Sequence, residues 1–344
     1  MGTPVRMARA GGITRRGRSG RFRYHDRTGR QITDAAVLAR IEALRVPPAW
    51  KDVWISARPN AKLQAVGLDA AGRRQYLYHP EYRARQEQAK YDKLIRVAER
   101  LPEIRQAMSE HMDADGLAFE RVAAIALRLI NLGWFRVGSE RYAKQSRTFG
   151  ITTLRKRHVK VRGSRVTFRF RAKHGLQVHS AIVDAEVAAA VRELLALEGG
   201  TRLFRYERDG ELLPLTSRKL NEYIRTYMGE EFTAKDFRTW GGTLVAAIAF
   251  AERGLTETAS EQKRAVAAVM RRVGERLGNT PAVARSSYVS PAVVEQYLDG
   301  RTIDDFRPRH LRVVGARDIG LDVEEQALLS LLRSWRIRAA RKAA

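Results

Sequence analysis

The sequence predicts an α+β protein, a small β-rich N-terminal domain followed by a mainly α-helical one. Short β-period segments, broken by Gly and Asp turns, recur between about residues 21 and 79. From about Glu81 helical periodicity takes over and persists nearly to the C-terminus. A chain of 344 residues with 44% apolar side chains, five Trp and eleven Phe is long enough for two buried cores.

The elements follow in order. Residues 1–30 carry nine arginines and one acid, Asp26, with Gly11, Gly12, Gly17 and Gly20 between them, so residues 1–20 are expected to be a flexible basic arm. Regular structure is expected from 21–24, with a turn at 26–29. Asp34 reads as the N-cap of a short helix reaching Leu44, which Val46-Pro47-Pro48 ends. Residues 53–56, 62–69 and 73–79 read as strands, the last two joined through Ala70-Ala71-Gly72. Residues 83–100 form a long polar helix, and 119–132 a helix apolar on nearly every face and therefore buried. Residues 159–162 and 165–171 form a hairpin about Gly163-Ser164. Val166, Phe168 and Phe170 share one face of it, and Arg165, Thr167, Arg169 and Arg171 the other. His174-Gly175 turns the chain into a strand at 176–179. Further helices are predicted over 184–197, 217–228, 237–252, 259–277, 291–298 and 323–341.

Composition bounds the function. The 64 Lys and Arg against 38 Asp and Glu leave a net charge of +26, which points to a polyanionic partner, with nucleic acid the default. Arginine supplies 52 of the 64 cations. Coding bias accounts for much of that ratio but not for the net charge, and the guanidinium fork suits phosphate. The absence of Cys excludes disulfides, zinc ribbons, iron–sulfur clusters and thiol catalysis. No apolar run approaches the roughly 20 residues that span a bilayer, and no signal-peptide core follows Met1. A soluble, cytoplasmic, nucleoid-associated protein is expected.

Two motifs are decoys. Gly12-Ile13-Thr14-Arg15-Arg16-Gly17-Arg18-Ser19 is one residue from a phosphate-binding P-loop, but Arg18 stands where Lys is needed and no apolar strand precedes it, so it is assigned to the arm. Asp113-Ala114-Asp115-Gly116 looks like the start of a calcium loop, but Ala124 stands where the bidentate Glu belongs. The seven histidines show no metal-ligand spacing and the acids no two-metal cluster, so neither metal nor cofactor is expected.

The informative segments lie further on. Lys235-Asp236-Phe237-Arg238-Thr239-Trp240 opens a helix, placing Arg238 in a first turn whose free N–H groups favour anions. Leu277-Gly278-Asn279-Thr280-Pro281 leads through Arg285 to Tyr288-Val289-Ser290-Pro291. With Phe135-Arg136-Val137-Gly138, Lys173-His174-Gly175, and Val66-Gly67-Leu68-Asp69 running on to Gly72-Arg73-Arg74-Gln75-Tyr76-Leu77-Tyr78-His79, the chain resembles the type IB DNA topoisomerases, in the compact form found in poxviruses and bacteria. The five segments occur in order between about residues 22 and 300.

The resemblance implies the type IB topoisomerase/tyrosine recombinase fold for the helical part. It also implies relaxation of supercoiled double-stranded DNA through a 3′-phosphotyrosyl intermediate, without ATP or metal. The chemistry is coherent. Opening a strand while conserving its bond energy needs a protein nucleophile that later leaves. A phenol with a pKa of about 10 must lose its proton in a cationic pocket. Arginine forks suit the charge on the non-bridging oxygens, and a Lys can protonate the leaving 5′-oxygen. By resemblance Tyr288 is the nucleophile, Arg136 and Arg238 the phosphate clamps, and Lys173 the general acid. Asn279 stands where the poxvirus-type enzymes have His, and is expected to donate a transition-state hydrogen bond through its amide nitrogen. Gln75, Tyr76, Tyr78, Arg73, Arg74, Lys235 and Arg285 are expected to touch DNA.

A tyrosine recombinase shares this catalytic core, but such enzymes usually carry His-x-x-Arg where this chain has Lys235-Asp236-Phe237-Arg238, and they lack the Gly72–His79 hairpin. A basic architectural DNA-binding protein would explain the charge but not five ordered motifs. The expected organisation is a DNA-binding domain over 1–88 and a catalytic domain over 89–344. They would act as a monomeric clamp with a hinge near 80–87.

Overall fold

In the N-terminal unit, β1 (Gly12–Arg18), β2 (Arg21–His25), β3 (Lys51–Ser56), β4 (Leu63–Leu68) and β5 (Arg74–Tyr78) form an antiparallel sheet in the order β2-β1-β3-β4-β5. The structure is a computed structural model that describes residues 11–307 and 320–343, and the chain divides into units Met1–Lys90 and Tyr91–Ala344. α1 (Ala35–Ala43) is capped by Asp34, whose Oδ1 accepts from the N–H groups of Ala36 and Val37 at 2.8 and 3.0 Å. Ile13, Ile41, Val53, Ile55 and Ala65 make the small core of this unit.

Strand β1 corrects the expectation of an arm. It pairs with β2 from Thr14↔His25 to Arg18↔Arg21 and with β3 from Gly12↔Ser56 to Thr14↔Trp54. Ile13 is buried. High charge hid the strand, yet these arginines are not all solvated. Arg15 donates to the carbonyls of Pro47 and Trp50 at 3.1 and 2.6 Å and lies over the Phe22 ring at 4.1 Å. The P-loop-like segment is therefore a strand. Residues 1–10 of the expected arm lie outside the described residues.

α2 (Pro80–Asp113) begins where a hinge was expected, so residues 80–87 are its first turns. In the second unit, α3 (Phe119–Gly133) is buried from Arg121 through Leu127 and again at Leu129 and Ile130, as its all-round apolar pattern requires. After the short α4 (Glu140–Gln145) come β6 (Val159–Arg162), β7 (Arg165–Arg171) and β8 (Gln177–Val183), an antiparallel sheet in the order β6-β7-β8. Val166, Phe168 and Phe170 face the core. α5 (Ala185–Ala196), the hairpin of β9 (Arg205–Arg208) and β10 (Glu211–Pro214), and α6 (Ser217–Met228) follow. Next come α7 (Ala234–Arg253), α8 (Ala259–Leu277), α9 (Pro281–Ser287), α10 (Pro291–Leu298) and α11 (Val323–Ala343). One core cluster runs from α2 to α11. Among the described residues no helix is long and apolar enough to cross a membrane.

Candidate active site

Four separate elements bring charged groups to one cavity of about 270 Å³, lined by Arg136, Lys173, Lys235, Arg238 and Tyr288 together with Ser139, Tyr142 and Phe149. Residues 152 positions apart in sequence meet there.

Arg136 leaves the end of α3 through a strained corner. Trp134 terminates the helix in the left-handed region at φ 49°, a conformation that costs a non-glycine residue roughly 1 kcal/mol or more. The corner turns the Trp134 carbonyl to Arg238 Nη1. The following loop is stapled by Ile151 N–H to the Arg136 carbonyl at 2.9 Å and by Thr152 N–H to the Val137 carbonyl at 2.8 Å.

Arg238 lies in α7. A capping box holds the start of that helix: Asp236 Oδ2 accepts from the Thr233 backbone N–H at 2.8 Å and from Lys93 Nζ at 2.8 Å. Arg238 is 4% exposed and its Nη2 donates to the Leu277 carbonyl at 2.9 Å, while its Nε has no partner among the described residues. The guanidinium is thus anchored with N–H capacity to spare. Burial lowers its pKa from the ordinary arginine value, but it stays cationic. Arg136 is pushed down to about 10, first by burial and then by repulsion from Arg238. Two guanidiniums crowded together, with no carboxylate among the described residues that line the cavity, are arranged for an anion.

Tyr288 is the C-cap of α9, which Thr280 caps and Pro281 opens. The Arg238 Cζ stands 5.1 Å from its ring centroid. Burial alone raises the phenol pKa. Arg238, Arg136 and Lys235 together outweigh burial, and the net effect holds the phenol below the ordinary tyrosine value. Lys173 is exposed in a single 3₁₀ turn between β7 and β8.

Asn279 is engaged differently from the expectation. Its Oδ1 accepts from Arg136 Nη2 at 2.6 Å, and its Nδ2 donates to the Leu277 carbonyl at 3.4 Å. Arginine is donor-only, so the oxygen must face it. The same Nη2 donates to the Gly278 carbonyl at 2.7 Å. Its carbonyl oxygen is thus turned to Arg136, and one of its two amide N–H groups toward the Leu277 carbonyl.

Sequence reasoning missed the residues that hold these groups. A Cβ on Gly241 would come within 2.3 Å of the Trp134 indole, and one on Gly242 within 2.9 Å of the Tyr288 carbonyl oxygen. Thr243 is fully buried, and its Oγ1 lies 3.1 Å from the Tyr288 carbonyl and accepts from Ser290 N–H at 3.2 Å. The Gly241-Gly242-Thr243 run directly after the Arg238 segment was the available signal.

The remaining expected residues lie elsewhere. Arg285 lines a groove with Met270 and Leu298, apart from the cavity of Tyr288. Gln75 and Arg73 are both held by Asp69, at 2.8 Å each, and Arg74 pairs across the sheet with Leu68. Tyr76 and Tyr78 stack at 6.2 Å on β5, an edge strand of the N-terminal unit.

The chain is similar to known proteins over most of its length. The family described as the catalytic core of eukaryotic DNA topoisomerase I matches residues 79–304, and the N-terminal domain of bacterial DNA topoisomerase IB matches residues 21–69. DNA topoisomerase 1B of Acanthamoeba polyphaga mimivirus is 33% identical over 298 residues, covering 83% of this chain and 87% of the viral protein. DNA topoisomerase 1B of vaccinia virus (strain Copenhagen) is 23% identical over 248 residues, 71% and 75% of the two chains. DNA topoisomerase 1 of rabbit fibroma virus (strain Kasza) is 24% identical over 259 residues, 72% and 76%.

Proposed function

Because the chain belongs to the type IB DNA topoisomerase family, we propose that it relaxes supercoiled duplex DNA by transient cleavage of one strand, rotation and religation. The observation that carries this reading is the cavity shared by Arg136, Lys173, Lys235, Arg238 and Tyr288. Tyr288 loses its phenolic proton to solvent and its oxygen attacks phosphorus. The Oη–P bond forms as the P–O5′ bond breaks, leaving a 3′-phosphotyrosyl linkage. Lys173 gives its proton to the departing 5′-oxygen and recovers one on the return step. Arg238 and Arg136 stabilise the charge gathered on the non-bridging oxygens. Asn279 keeps Arg136 aimed. Religation is the same path reversed, so bond energy is conserved and no nucleotide is consumed.

In this reading residues 89–344 form the catalytic domain and residues 1–88 a DNA-binding domain that uses Gln75, Tyr76, Tyr78, Arg73 and Arg74. Lys235 contacts the backbone near the scissile phosphate, and Arg285 a more distant one. All reacting groups come from one chain, which supports a monomer, and duplex DNA as substrate is in keeping with action on the nucleoid in the cytoplasm. The test is adduct formation. Tyr288→Phe removes one oxygen and little volume, so DNA binding should persist while the covalent protein–DNA adduct disappears. An adduct mapped to another tyrosine, or to a 5′-phosphate, overturns the mechanism.

A further inference from the structure

Helix α8 carries two stripes. Ala265, Val269, Val273 and Leu277 are buried in the core. A second row, at positions 259, 262, 263, 266, 267, 270 and 271, recurs every three or four residues and lines a groove of about 850 Å³ whose other wall is α9 and α10. Along the helix this row is about 18 Å long. Its middle is apolar. Val266 and Met270 are the buried floor, Ala267 is exposed beside them, and Leu298 of α10 stands 43% exposed. Lys263 and Arg271 flank that middle, eight residues apart and both exposed. Among the described residues neither is ion-paired, and no carboxylate is among those that line the groove. The next residue, Arg272, pairs instead with Glu252 of α7.

Charge and apolarity together decide what fits. Protein–DNA interfaces are polar, and an apolar floor does nothing for a phosphate backbone. A second copy of the chain would bring a further +26 to a cationic rim. Residues 1–10 hold two Arg and no acid, and residues 308–319 three Arg and one Asp, so neither segment supplies two carboxylates. The complement is a segment apolar in its middle and acidic on both sides. Lys263 and Arg271 lie about 12 Å apart along α8. On a docked helix, two acids about two turns apart span the same distance, with apolar anchors one turn on from each.

We propose that the groove between α8, α9 and α10 docks an acidic amphipathic helix of a partner protein. The groove shares no lining residue with the cavity of Tyr288, so the partner tethers the enzyme without filling its active site. The inference does not rest on the relaxation activity above. Its test selects a displayed library of random peptides of about 16 residues, long enough as a helix to span the row. The target is Tyr288→Phe protein saturated with a short DNA duplex. The duplex covers the cations that face DNA, and the variant forms no adduct. A selected peptide is then made synthetically and its affinity read by fluorescence anisotropy.

Peptides with the acidic–apolar–acidic pattern should enrich, and a scrambled peptide of the same composition should bind far more weakly. Lys263→Glu combined with Arg271→Glu should lower the affinity about tenfold or more. Exchanging the two acids of the peptide for Lys should restore it on that variant. Ala267→Glu combined with Leu298→Glu should abolish binding. Arg253→Glu combined with Arg336→Glu, the same change of charge elsewhere, should keep it. All six residues are exposed, so each variant should retain the parental helix signal in circular dichroism. Failure of the pattern to enrich overturns the proposal. Equal weakening by the control pair also overturns it, because the attraction would then be to net charge alone. So does the absence of rescue by the charge exchange. Displacement of the peptide by added duplex would put the rim against DNA and overturn it too.

Discussion

In the proposed mechanism Asn279, with the Gly278 carbonyl, keeps Arg136 aimed, and the direction of its amide makes a testable difference. With Oδ1 accepting from Arg136 at 2.6 Å, a replacement must offer an acceptor on that side. Asn279→His should work when neutral and fail when protonated, because an imidazolium only donates. Its cleavage rate should fall as pH drops through about 6.5, relative to the parent measured across the same range. A side chain that donated directly to phosphate would give the opposite trend. Thr243 makes a second case. Thr243→Val keeps the shape but leaves the Ser290 N–H without its acceptor, freeing the backbone that carries Tyr288. Single-turnover cleavage should slow about tenfold, a barrier change of about 1.4 kcal/mol, with DNA affinity unchanged. Thr243→Ser should restore the rate. The phenol titrates below the ordinary tyrosine value, because the cations beside it outweigh burial. The rate should therefore rise with pH and level off below about 10, and Lys235→Ala should move that plateau upward.

At the scale of elements, α11 is fastened to the helix that carries Arg238. Glu325 accepts from Arg105 at 2.7 and 2.8 Å and from the Trp240 indole at 2.9 Å, all three side chains being buried. Trp240 stands two residues after Arg238. Glu325→Ala would leave Arg105 charged and unpaired in the core and should cost about 3–5 kcal/mol in denaturant unfolding. Arg105→Met combined with Glu325→Leu should lose much less. Burial raises the Glu325 pKa, but Arg105 and then Trp240 outweigh it, and the carboxyl sits below its ordinary value. A depressed carboxylate stabilises the fold above the unfolded-state pKa of about 4.3, and that stability drains as pH falls toward the folded value. Glu325→Gln should flatten this part of the stability–pH curve. These links also show what was legible. α6, α8 and α10 were readable from periodicity and caps because each buries one continuous stripe. α9 has seven residues and α4 six, too short for a period to emerge. β1 was masked by its arginines. The meeting of Arg136, Lys173, Arg238 and Tyr288 came from family resemblance, since no local pattern encodes contacts across 152 positions. The Glu325–Arg105 pair, 220 residues apart, had no local signal either.

For the whole molecule the governing quantity is the net charge of +26. Binding a duplex with many Lys and Arg contacts releases condensed counterions, so affinity should fall by about 10³–10⁵ between roughly 50 and 200 mM salt if six to ten phosphates are neutralised. Chain truncation separates charge from architecture. Residues 1–10 contribute Arg6 and Arg9. Deleting them should make the salt slope shallower by about two at most and leave cleavage intact. Deleting residues 1–20 removes β1, which lies between β2 and β3 in the five-stranded sheet. That cut takes away Ile13 from a core of five buried residues and the carbonyl-binding guanidinium of Arg15. It should unfold the N-terminal unit rather than trim its charge. The expected readout is loss of the β-sheet signal in circular dichroism and a collapse of DNA affinity at every salt concentration. A shorter variant that stays folded and merely binds with a shallower slope would mean that β1 is dispensable to the sheet.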